Sequence, residues 1–214
     1  MGQKKLIRFE AIKGYENVFE YPLNAKGTWK DFFKNNNPIT LELACGKGEY
    51  AVGLGKMHPN RNFIGIDIKG NRIWRGATNA LELGLTNVAF IRSLIDKVPD
   101  YFNPTEIDEI WITFPDPFPR DGDEKRRLTS PKFLDMYKPM IKKGGLVHFK
   151  TDNTGLFDYT LELVQSRDDI EVLAFTHDFY QSEMRDDHHG IKTRYEKIFS
   201  DKGEKIKYLK FRFK

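Results

Sequence analysis

Residues 41–50 read LELACGKGEY, an apolar run that ends in two glycines one residue apart and passes directly into a helix-like stretch. Glycine at 46 and 48 permits a tight turn and close approach of the backbone to a ligand. The helix expected over 49–57 then directs its amino end at the same place. A strand, a glycine turn and a helix in that order is the opening unit of a nucleotide-binding α/β domain.

The same alternation extends outward through the chain. Strand-like segments lie at 39–45, 61–67, 87–92, 109–114, 145–150, 170–175 and 205–213. Helix-like segments lie at 49–57, 71–83, 131–141, 155–166 and 193–200, with Gly84 and Gly144 just past two of them as expected left-handed caps. Several of the strands are apolar almost throughout, as a parallel sheet covered on both faces requires. The pattern predicts a doubly wound α/β domain over 36–214, with residues 1–35 as a mixed aromatic and basic N-terminal arm packed on it.

Composition narrows the class further. At 214 residues with 39% hydrophobic content, the chain suits one sizeable domain rather than two. No apolar run approaches the ~20 residues that span a bilayer, and MGQKKLIRFE lacks the apolar stretch of a secretory signal or a residue suited to myristoylation at Leu6. The single cysteine, Cys45, excludes an internal disulfide and any cysteine-rich zinc site. Its place at the end of a strand suits a small buried thiol better than a nucleophile. His188 and His189 read as solvated lid residues, so no metal is expected. A cytoplasmic protein follows, with monomer and homodimer both open.

Two acids sharpen the glycine turn into a nucleoside site. Asp67 ends the second strand, where a carboxylate accepts hydrogen bonds from ribose hydroxyls. Gly46, Gly48 and Ala51 also satisfy the dinucleotide fingerprint, which keeps an NAD-dependent oxidoreductase open. Glu42 tilts the balance, because a carboxylate four residues before Gly46 suits the ammonium of a methionine moiety and repels a pyrophosphate. S-adenosylmethionine is therefore the expected cofactor.

A second unusual stretch, WITFPDPFP at 111–119, leaves a strand through three prolines and the lone carboxylate of Asp116. Proline restricts both itself and its predecessor, so Phe114, Asp116 and Phe118 are expected in extended conformations along a stiff pocket wall. Positive charge gathers in two places. Lys125, Arg126 and Arg127 follow the acidic DGDE of 121–124, and in the last strand Lys210, Arg212 and Lys214 alternate with Leu209, Phe211 and Phe213. That strand face can grip a polyanion, or its lysines can simply protect a sheet edge. A noncatalytic RNA-binding module would explain such cations but would leave Glu42 and Asp67 without a task.

Taken in order, the glycine loop with Glu42, FPDPFP followed by KRRL, FKTDN at 149–153 and TRYE at 193–196 resemble the bacterial tRNA (guanine-N7-)-methyltransferase family over roughly residues 35–213. The resemblance implies a class I methyltransferase fold, Rossmann-like, with a seven-stranded sheet, mostly parallel with one antiparallel strand. It implies S-adenosyl-L-methionine as cofactor, tRNA as partner and methylation of N7 of guanine 46 in the variable loop. It assigns Glu42, Asp67 and Asp116 to the cofactor, with Gly46 and Gly48 in the loop and Asp116 also catalytic. Arg120, Asp152, Thr193, Arg194, Tyr195 and Glu196 become substrate contacts. The chain departs from the family at Ser93, which stands where many members carry a third cofactor acid, and in the acidic 121–124. The motif of the amino-methylating enzymes does not fit, since only Pro117 separates Asp116 from Phe118.

Overall fold

The computed structural model describes residues 2–214, with side chains described from Lys5 onward. The chain order is α1 (Gly2–Ala11), β1 (Val18–Glu20), α2 (Trp29–Phe33), β2 (Ile39–Leu43), α3 (Glu49–Met57), β3 (Asn62–Asp67), α4 (Gly70–Glu82), β4 (Val88–Arg92), β5 (Ile107–Thr113), α5 (Pro131–Tyr137), β6 (Ile141–Thr151), α6 (Thr154–Gln165), β7 (Ile170–Thr176), α7 (Arg194–Asp201) and β8 (Lys207–Phe213). One sheet of eight strands holds them in the order β1-β4-β3-β2-β5-β6-β8-β7. β8 runs antiparallel to both β6 and β7, and the other pairings are parallel.

Period-2 alternation sorts the strand side chains onto two cores. Leu41, Leu43, Ile64, Ile66, Ile110 and Ile112 meet α2, α5 and α6 on one face. Phe63, Trp111 and Tyr208 meet α3 and α4 on the other. Both faces are covered, which is why the strands read as continuous apolar runs.

All seven strands expected from the sequence form, and an eighth joins them. Val18–Glu20 pairs with β4 through Val18 with Phe90 and Glu20 with Arg92. Three residues are too few to carry an alternation signal, and the strand forms because Phe19 packs edge-on against Trp29 at 5.4 Å. The helix expected over 131–141 stops at Tyr137, and β6 already begins at Ile141. Gly144, with φ +80°, is therefore no helix cap. It lies in a bulge of β6, where the register jumps from Ile107 opposite Ile141 to Glu109 opposite Leu146.

β8 is an interior strand, so its cations protect no edge. Lys210 Nζ lies 2.7 Å from Asp187, Arg212 Nε 2.7 Å from Glu171, and Lys214 Nζ donates to the Asp168 carbonyl. Lys210 and Arg212 are thus paired with carboxylates of the same fold, whereas Lys214 is exposed and has no carboxylate partner among the described residues.

The strand order reverses beside β2, between β3 on one side and β5 on the other. In an open α/β sheet the loops at such a switch point diverge and leave a crevice at the carboxyl ends of the strands.

Candidate active site

That crevice holds a cavity of about 950 Å³, at the upper end of the range for small-molecule sites. The ends of β2, β3, β4, β5 and β6 and the start of α7 all contribute to its wall. Of the residues singled out from the sequence, Gly46, Asp67, Ser93, Asp116, Asp152, Thr193, Arg194 and Tyr195 line it, and Glu42, Gly48, Arg120 and Glu196 do not.

The glycine loop is built by backbone conformation and by two carboxylates. Ala44, Gly46 and Gly48 all have positive φ, between 53° and 64°. Gly48 has the further constraint that a Cβ there would run into the Phe90 ring. Asp67 accepts hydrogen bonds from Gly46 N at 2.9 Å and Lys69 N at 2.7 Å, tying the first loop to the second. Its carboxylate thus organises this side of the cavity as well as lining it.

Glu42 has a different task from the one expected. Its side chain is buried beneath the loop and accepts from Ala51 N at 2.9 Å and Tyr50 N at 3.4 Å, capping the amino end of α3 from below. Burial pushes its carboxyl up to about 8, against the lowering effect of those amides. Glu42 lies beneath the cavity and not in its lining, where burial favours the uncharged form of its carboxyl. Because the folded state holds this proton more tightly than the unfolded chain, the associated stability is full below about pH 4.5. It declines as pH rises toward about 8, by up to about 1.4 kcal/mol per unit. Glu42→Gln keeps an acceptor for Ala51 N and cannot ionise, so melts at about pH 5 and about pH 8 are expected to show a smaller decline than in the parent. An identical decline in both proteins would mean that Glu42 is ionised throughout.

On the far wall, Phe114 and Phe118 precede prolines yet have φ of 52° and 42°, left-handed rather than extended. Such conformations are costly for bulky residues and persist where neighbours enforce them. Phe114 N donates to the Lys150 carbonyl at 2.8 Å, and Arg127 Nε donates to the Phe118 carbonyl at 3.1 Å. Between them Asp116 is exposed, and its carboxylate has no hydrogen-bond partner among the described residues. Phe114 lines the cavity, whereas Phe118 lies under Arg126 at 4.2 Å and outside it.

FKTDN resolves into four separate jobs. Lys150 is fully buried, with Nζ 2.7 Å from Glu196 and 2.9 Å from the Tyr50 hydroxyl. Thr151 Oγ1 accepts from Asn153 N, Asn153 Oδ1 caps α6 by accepting from Leu156 N, and Asp152 faces the cavity. Partial burial raises the Asp152 carboxyl.

TRYE divides in the same way. Thr193 Oγ1 accepts from Glu196 N, and Glu196 accepts from Thr193 N, a capping box that starts α7. Glu196 is fully buried against Lys150 and the Tyr180 hydroxyl, behind the cavity wall and not in it. Arg194 and Tyr195 remain to project into the cavity. Tyr195 is 41% exposed, and its hydroxyl accepts from Arg72 at 2.8 Å.

Ser93 is buried, with its hydroxyl 2.6 Å from that of Tyr101. Ile68, Leu94 and Ile95 supply apolar wall on either side of it. Cys45 also lines the cavity, but burial pushes its thiol up, away from the thiolate a nucleophile needs. His188 is half-buried, edge-on to Phe179 and Tyr180, whereas His189 is exposed as expected, with its ring edge-on to His58. Burial lowers both imidazoles from their ordinary value. Among the described residues no group of three or more His, Cys, Asp or Glu is placed to hold a metal.

Two features of the site went unread in the sequence. Lys150 was passed over because a lysine in a strand has no signature of burial. Arg8, Arg72 and Arg75 also line the cavity, and the three-residue spacing of Lys69, Arg72 and Arg75 along one helix stripe was a legible sign of it.

A family profile described as a putative methyltransferase matches residues 36–209. A tRNA (guanine-N(7)-)-methyltransferase of Cytophaga hutchinsonii is 45% identical, over 100% of this chain and 99% of its own length. One of the same description from Bacteroides fragilis is 46% identical, covering 99% of this chain and 86% of its own. Among solved structures, the 16S rRNA methyltransferase KamB superposes with a TM-score of 0.66 over 86% of this chain and 92% of its own, at 11% identity, a likeness of fold alone. With a glycine loop, a proline-stiffened carboxylate and a capped helix converging on one crevice, and with matches of that length and identity, the chain belongs to the tRNA (guanine-N7-)-methyltransferase family.

Proposed function

We propose that this protein transfers a methyl group from S-adenosyl-L-methionine to N7 of a guanine in tRNA, at position 46 of the variable loop. The observation that carries the reading is the convergence on one cavity of Gly46, Asp67 and Ser93 from one side and Asp116, Asp152, Arg194 and Tyr195 from the other. A nucleoside fits the first set: Asp67 presents carboxylate oxygens for ribose hydroxyls, and Ile68, Leu94 and Ile95 offer flat apolar contact for an adenine. When bound, the cofactor supplies an electrophilic sulfonium methyl.

N7 of guanine carries a lone pair and no proton, so no side chain has to act as a base. The residues have instead to hold the guanine in line with the methyl group, and alignment of that kind supplies several kcal/mol. Asp116 meets the positive charge that grows on the base, or receives its N1–H and exocyclic amine. Tyr195, held by Arg72, offers a half-exposed ring at the mouth of the cavity on which an extruded nucleotide can stack.

Methyl transfer from tritiated S-adenosylmethionine to unmodified tRNA, followed by mapping of the product, tests this. Label at N7 of guanine 46 is expected; label on a pyrimidine or an exocyclic amine would overturn it. Calorimetry is expected to detect S-adenosylmethionine binding and no NAD binding, and the reverse result would return the oxidoreductase reading.

A further inference from the structure

Three groups of cations on this protein can meet a polyanion, and the structure separates them by how each charge is already used. Of those of β8, Lys210 and Arg212 are paired with carboxylates and Lys214 is held by a backbone carbonyl. In the second group Arg126 is paired with Asp123 and stacked on Phe118 and Arg127 lies over the Tyr159 ring at 4.3 Å, which leaves Lys125 exposed and unpaired among the described residues. The acidic 121–124 segment folds back on its own neighbours, with Glu124 accepting from the Tyr159 hydroxyl.

The third group rings the cavity. Lys69, Arg72 and Arg75 form one stripe at the start of α4, and Arg8 of α1 lies over the Trp74 ring at 4.5 Å beside them. None of these four pairs with a carboxylate among the described residues; Arg72 spends one N–H on the hydroxyl of Tyr195, and Arg75 is exposed with no hydrogen-bond partner. Unpaired cations arranged around one opening are free to neutralise phosphates and so release the counterions condensed on a nucleic-acid backbone, which favours binding. Paired cations have already given up that gain.

We propose that the α1–α4 rim, through Arg8, Lys69, Arg72 and Arg75, is the track on which the RNA backbone lies as its guanine enters the cavity. This rests on the reading of the chain as a tRNA methyltransferase. The partner is recognised there by its phosphates and not its sequence, so these contacts set affinity and register while Tyr195 and the acids choose the base. Arg72 joins the two functions, because the guanidinium that holds the Tyr195 hydroxyl also faces the backbone track.

The test is the salt dependence of binding to an unmodified tRNA transcript. Arg75→Gln is expected to reduce the slope of log affinity against log salt by about one, and Arg8→Gln/Arg72→Gln/Arg75→Gln by up to about three. Lys210→Gln/Arg212→Gln/Lys214→Gln is expected to leave the slope unchanged. Arg75 is exposed and makes no hydrogen bond or ion pair among the described residues, so its single variant stays informative if the triple variant folds poorly. An unaltered slope in Arg75→Gln together with a reduced one in the β8 variant would overturn the proposal. So would a fall in S-adenosylmethionine affinity with no change in slope, which would assign these arginines to the cofactor. Methyl transfer by the parent protein is measured in parallel: its absence counts against the tRNA methyltransferase reading, whereas its presence with an unaltered slope counts against the rim alone.

Discussion

Asp116→Ala is expected to slow methyl transfer by about 10²–10³-fold, a loss of roughly 3–4 kcal/mol of transition-state stabilisation, with an unfolding midpoint close to that of the parent. The side chain is exposed and has no partner among the described residues, so nothing in the fold depends on it. Its position is enforced by its neighbours: Pro115 and Pro117 restrict the backbone, and the amide of Phe114 is anchored on the Lys150 carbonyl. A carboxylate held in that way meets a charge that develops only during the reaction, which lowers the barrier without tightening the ground state. Asp116→Asn separates the two roles open to it. If the amide retains most activity, accepting hydrogen bonds from guanine is the task; if it is as slow as Ala, the charge is. Activity of the Ala variant within about threefold of the parent, under 1 kcal/mol, would remove Asp116 from the site.

Lys150→Met is expected to be the most destabilising single change in the site, at about 3–5 kcal/mol, because it strands the fully buried Glu196 carboxylate without its cation. For a domain of this size that lowers the melting temperature by about 6–20 °C. The pair Lys150→Met/Glu196→Met removes both charges and is expected to regain most of the loss, since two apolar side chains avoid the desolvation that each ion undergoes. What it is not expected to regain is catalytic rate. The ammonium joins α3 through Tyr50 to the start of α7 through Glu196, and its own backbone carbonyl holds Phe114. Three segments of the cavity wall are therefore referenced to one residue. A double variant that is both stable and fully active would show that the ion pair merely fills space.

The sequence alone determined the alternation of strands and helices, because each strand buried on both faces had to be apolar throughout and each glycine turn had to be glycine. It determined the location of the site as well, since Gly46, Asp67 and Asp116 each stand at the end of a strand-like run, and such ends gather on one edge of a parallel sheet. What it left open was the use of each polar residue. Glu42 read as a cofactor ligand and is buried as a helix cap; Glu196 read as a substrate contact and is one half of a capping box and of an ion pair. Lys210, Arg212 and Lys214 read as a free cationic face, yet Lys210 and Arg212 are paired with acids from elsewhere in the chain, Asp187 and Glu171, while Lys214 only donates to the Asp168 carbonyl. The physical reason is common to all of these. Hydrophobic periodicity is local and is written along a single segment, whereas the fate of a charge depends on its distance from a partner tens of residues away and on how much water remains between them. Only the tertiary structure decides those two quantities.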